Sequence, residues 1–204
     1  MWVILALASA ACFGVVSVID KRLLDHHLPS ISVLFLWIAI VLGFYLVIVL
    51  AAIGIPQNPP VDALLMGLAS GLSTGAGLAL MFAGLKQEEA SRAIAITQIN
   101  PIFVALLAVL FLGEILVPMQ WGAILLAVMG TMLISLRELP GRRELRPTRG
   151  TPLLLGSGLG LGVGFFTVKA ALESLSVWEV FVIQQLGVVL VFLLLSRPAA
   201  WRQL

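Results

Sequence analysis

Apolar residues occupy this chain in blocks that neither alternate, as a strand with one wet face would, nor keep a polar stripe, as a surface helix would. Seven such blocks lie at roughly 2–20, 31–53, 62–84, 91–112, 117–136, 152–172 and 178–195. Each is long enough to cross about 30 Å of hydrocarbon at about 1.5 Å per residue. Only a helix satisfies its own backbone in lipid when no barrel pattern is present, and no alternating ten-residue segments occur. The pattern predicts an all-α integral membrane protein of seven transmembrane helices. The opening MWVILALASAACFG has the small residues of a signal-peptide cleavage site, but no basic residue precedes it and the apolar run continues to Ile19. It reads as a retained first span.

Composition agrees: 61% of residues are hydrophobic, 11% charged, and the mean hydropathy is +1.13. A soluble domain of this length could not bury that much apolar surface, so the lipid bilayer is the expected solvent. A formal net charge of +2 gives no reason to expect nucleic acid,. Cys12 is the single cysteine, which excludes an intramolecular disulfide and any multi-cysteine metal site,. No cofactor or metal is expected.

Most connections are short and polar, such as KQEEASR at 86–92. The segment RELPGRRELRPTRG, Arg137–Gly150, differs: it holds five arginines together with Pro140, Gly141 and Pro147. It reads as a linker between two units and, by the positive-inside rule, as cytoplasmic. Lys21, Arg22, Lys86, Arg92, Arg197 and Arg202 fall on the same side, which places the N-terminus outside. The predicted units are 1–137, with five spans; the linker, 138–151; and 152–204, with two more spans. A shift of 148 positions lays FGVVSVIDKRLL (13–24) over LGVGFFTVKAAL (161–172), matching Gly14 to Gly162, Val15 to Val163, Lys21 to Lys169 and Leu24 to Leu172. Because the repeated unit has an odd number of spans, its second copy enters the membrane from the opposite side, giving an incomplete inverted repeat.

The segment Ile99–Ser135 carries Pro101 in its first span, Gly113-Glu114 at that span's end, and Trp121-Gly122 at the start of the next. The opening span ends in Lys21. With these features the chain resembles an EamA-type unit of the drug/metabolite transporter superfamily, over one full unit and the first two spans of a second. The resemblance implies a carrier of small metabolites in a bacterial inner membrane and no enzyme. It also implies a ten-span form, of which this chain would be a fragment, its missing helices otherwise coming from a partner chain or a second copy. Family members often place a charged residue early in the second span, where this chain has Trp37, and two-unit members are expected to have a cytoplasmic N-terminus, opposite to the charge count.

The polar residues inside the spans are the candidate site. Proline has no N–H, so Pro101 deprives the Thr97 carbonyl of its helical partner, and Asn100 lies near the same face. Thr97, Asn100 and Pro101 predict a polar notch at mid-membrane that must face protein or a water-filled cavity; Gln98 is turned about 100° away and can serve either surface. Gln184 and Gln185 in the seventh span and Trp37 complete the expected substrate contacts, ahead of Ser70, Ser73 and Thr74, whose hydroxyls can bond their own backbone. Each of these can equally hold the bundle together through an interhelical hydrogen bond. Glu114, Lys21 and Lys169 are expected to be structural or gating groups. Glycines at four-residue steps, Gly67, Gly71 and Gly75, and Gly156, Gly160 and Gly164, predict grooves for close helix packing. His26 and His27 lie in a loop and no nucleophile is placed beside a base, so intramembrane hydrolysis is not expected. A scaffold or assembly subunit that does not transport remains the competing class.

Overall fold

The structure is a computed structural model that describes residues 2–24, 30–54, 59–113, 115–137 and 149–196. Among these every regular element is a helix: α1 (Trp2–Arg22), α2 (Ile31–Ile53), α3 (Val61–Leu85), α4 (Ala90–Thr97), α5 (Asn100–Leu112), α6 (Pro118–Arg137), α7 (Thr151–Leu172) and α8 (Val177–Leu195). Among the described residues six helical spans are long and apolar enough to cross a membrane, with α4 and α5 counting together as one. The shorter apolar stretch begins α6, a helix of 20 residues.

The predicted fourth span is therefore two helices. Gln98 (φ −68, ψ 8) ends α4, and Ile99 (φ −73, ψ −11) opens α5 with Pro101 in its first turn. The ladder tightens across the junction, where Ile99 N donates to Ile96 O at 3.3 Å and Ile102 N to Ile99 O at 3.0 Å. The missing proline N–H is absorbed by this short turn, so the break sits where the sequence puts it. At its other end α5 stops on Gly113, whose φ of 64 is left-handed and whose N–H bonds the Ala108 carbonyl. A Cβ there would meet nothing within 4 Å, so the glycine is required by backbone conformation and not by crowding,. Glu114 lies outside the described residues. Helix α8 starts at a capping box, Ser176 N donating to Glu179 Oε2 at 2.9 Å and Glu179 N to Ser176 Oγ at 3.4 Å,.

Lipid gives helices no hydrophobic reason to associate, so packing must come from close contact. Helix α7 supplies it with glycines on two faces. Gly156, Gly160 and Gly164 turn by only about 40° per step, while Gly158 and Gly162 lie about 200° around from Gly160 and Gly164. The first set receives α3: a Cβ on Gly160 would stand 3.0 Å from the Gly77 Cα. The second set receives the broken span: a Cβ on Gly158 would stand 2.8 Å from Ile99 Cγ2, and one on Gly162 2.7 Å from Phe103 Cβ. Helix α3 meets α8 through its own glycines, since a Cβ on Gly71 would collide with the Gln184 carbonyl oxygen and stand 2.8 Å from the Gly187 Cα. Helix α2 lies on α8, α6 on α4, and α1 has α4 as its main neighbour. The two helices equated by the sequence repeat thus pack differently. Helix α7 is central, whereas Gly14, the one glycine in α1, meets nothing within 4 Å.

Phe35, Phe82 and Phe192 tie α2, α3 and α8 together, with ring centroids 5.4 to 6.5 Å apart. One end of the bundle is pinned by polar contacts. Lys21 Nζ donates to the carbonyl oxygen of Leu85, the last residue of α3, at 2.7 Å, a favourable place for a cation. Glu88 is buried, pairs with Arg92 at 3.6 Å, and packs against Gly150 at the start of α7, where a Cβ would stand 2.8 Å from its Cγ.

Candidate functional site: a cavity at a broken helix

The break between α4 and α5 opens onto a cavity of about 390 Å³. Its polar wall is Thr97, Gln98 and Asn100 from the break, with Thr74 from α3 opposite; Leu78, Met81, Ile94, Leu161 and Phe165 supply the apolar remainder. None of these residues is charged. A second cavity of about 390 Å³ adjoins it and is lined by Asn100, Pro101, Val104, Ala105 and Ala108 along α5, by Phe165, Phe166 and Lys169 along α7, and by Leu116 and Ile124. Both volumes lie at the lower end of the range for small-molecule sites, about 300–1,000 Å³.

The predicted notch is thus set against cavities and not against lipid alone. Within it the Thr97 hydroxyl donates to its own helix, at Ala93 O, 3.0 Å away, while Gln98 and Asn100 contribute side-chain amides to the cavity's lining. Pro101 lines only the second cavity.

Gln184 lines neither cavity but bonds to the first one's wall. Its Nε2 donates to Ser70 Oγ at 3.0 Å and to Thr74 Oγ1 at 3.5 Å, while Ser70 Oγ donates to the Gly164 carbonyl at 3.0 Å. Ser70 is fully buried. This chain of bonds joins α8, α3 and α7 immediately behind Thr74. Buried Oε1 of Gln185 and buried Oγ of Ser157 have no hydrogen-bond partner among the described residues. Trp37 lies on an exposed face of α2 and lines neither cavity. Lys169 lines the second cavity, and Lys21 caps α3 away from both.

Two residues that sequence reasoning does not single out as solute contacts, Phe165 and Thr74, face these cavities. Phe165 and Asn100 line both cavities. The available signal for Phe165 was its setting: Phe165 and its neighbour Phe166 are the only aromatic residues in α7, in the half of it that follows five glycines. Thr74 reads in sequence as one of several hydroxyls able to bond their own backbone, whereas here it faces the cavity and accepts from Gln184.

No curated protein and no solved structure matches the chain. The model of the EamA-like transporter family matches residues 1–136, which carry α1 to α5 and nearly all of α6. Helical spans, a proline-broken span over a cavity, and a left-handed Gly113 cap where the Gly-Glu motif falls all sit within that match or against it. The chain belongs to the EamA-like transporter family, and is an integral membrane transport protein.

Proposed function

We propose that the protein carries a small amphipathic solute, an amino acid or a metabolite of similar size, across a bacterial inner membrane by alternating access, through the cavity at the α4–α5 break. Residues 1–137 act as one five-span unit and 152–204 as a second unit with two spans, joined by the cytoplasmic linker 138–151. The observation that carries this reading is the first cavity's lining: amides and hydroxyls at mid-span beside apolar walls, with no charged residue. Such a surface offers donors and acceptors to a solute of no net charge, and apolar contact to its body.

The scaffold reading needs free grooves for partner helices. The glycine grooves of α3 and α7 are filled within the chain, by α8, by α3 and by the broken span, which favours the carrier.

Proteoliposomes loaded with a mixture of small metabolites and followed by mass spectrometry test the proposal. At least one solute is expected to leave faster than from protein-free vesicles. Asn100→Ala is expected to slow that efflux about tenfold, the loss of one good hydrogen bond to the solute, while thermal stability stays near that of the parent. Equal loss of efflux and of folded protein would assign Asn100 to packing instead.

A further inference from the structure

The two cavities run in opposite directions from their shared residues. The C-terminal end of α3 and the N-terminal ends of α4 and α7 meet at the linker end of the bundle, where Lys21 reaches Leu85 and Glu88 lies against Gly150. Toward that end the first cavity is lined by Met81, in the last turns of α3, and Ile94, near the start of α4. The second runs the other way, past Ala108 in the closing turns of α5 to Leu116 in the connection before α6 and Lys169 in the last turn of α7. Along the broken span, Asn100 stands about 9 Å from Ile94 on one side and about 12 Å from Ala108 on the other.

We infer that Phe165, together with Asn100, forms a mid-membrane partition dividing one solute path into two vestibules that open toward opposite membrane faces, with the Phe165 ring as its moving part. This rests on the carrier reading. Long side chains in a helix lie back over the residues three and four positions earlier; for Phe165 the first of these is Gly162, which has no side chain to fix a ring. The adjacent Phe166 is held against Phe111, with centroids 5.9 Å apart, whereas Phe165 has no aromatic partner among the described residues and is 50% exposed. Its ring can change rotamer without unpacking a core, and Asn100 beside it presents an amide to whatever passes.

The test uses single-cysteine variants in a Cys12→Ser background, with Thr74→Cys reporting the first vestibule and Val104→Cys the second. The probe is a membrane-impermeant cationic methanethiosulfonate, added to one side of the membrane at a time. Each cysteine is expected to react from one side, and the two from opposite sides. Phe165→Ala is expected to raise the reaction of Thr74→Cys from the Val104→Cys side about tenfold or more, as a closed partition becomes mostly open, while Val104→Cys keeps its own rate. Should Phe165→Ala not assemble, Phe165→Leu, which keeps apolar bulk but loses the ring, is read in the same way. Labelling of both cysteines from one side, or unchanged sidedness in the Phe165 variant, would overturn the partition and leave the carrier reading standing. No reaction of either cysteine from either side would overturn both.

Discussion

Ser70 and Gln184 show how a polar side chain inside a span is used. Ser70 both accepts from Gln184 and donates to Gly164 O, so removing its hydroxyl breaks two interhelical contacts, while Gln184→Leu breaks the two that Gln184 makes, to Ser70 and Thr74. Interhelical hydrogen bonds in bilayers average about 0.6 kcal/mol and reach about 1.7 kcal/mol. Ser70→Ala is therefore expected to destabilise by about 1–2 kcal/mol, and a double-mutant cycle with Gln184→Leu to show a coupling near 0.6 kcal/mol. Unfolding in mixed micelles measures both; strictly additive single effects would show that the bond drawn between them contributes nothing. At this scale the Thr97–Pro101 notch was legible because a missing N–H has a fixed consequence one turn earlier. The place of Phe165 was not, because it depends on Asn100, which is distant in sequence and brought near by Gly162.

Among the elements, α7 carries the packing. Its glycines serve two neighbours at once, and the test is to fill one face. Gly160→Leu drives a side chain into the Gly77 backbone of α3, where no flexible group can yield, and is expected to cost about 1–3 kcal/mol or more,. A Cβ on Gly122, at the start of α6, would meet nothing within 4 Å, and Gly122→Leu is expected to stay within about 0.5 kcal/mol of the parent,. Thermal unfolding followed by size-exclusion chromatography separates the two, and equal losses would mean that the α3–α7 approach does not limit stability. Six of the seven spans read from hydropathy recur among the described residues as helices of membrane-crossing length, because lipid permits so few alternatives; the other, in α6, recurs as a shorter apolar stretch,. The four-residue glycine steps gave the grooves but not their partners. The second face of α7, Gly158 and Gly162, was missed, because each pair looks like background in a stretch where every other residue is glycine.

For the whole molecule the reading turns on whether water reaches the middle of the bundle. A carrier must wet its site on at least one side during its cycle, whereas a scaffold held by the same helices stays dry there. In the proposed orientation the linker end of the bundle, pinned by Lys21, Glu88 and Arg92, faces the cytoplasm. Solute would enter or leave there through the first cavity and at the opposite face through the second. Asn100 lines both cavities. The most direct measurement is the reaction rate of Asn100→Cys, in the Cys12→Ser background, with a small water-soluble methanethiosulfonate, set against Leu36→Cys, a position with no exposed surface. Asn100→Cys is expected to react at least about a hundredfold faster, as a wetted thiol does beside one sealed in a packed core. Equal, negligible rates at the two positions would contradict it and leave a packed bundle with no path for a solute.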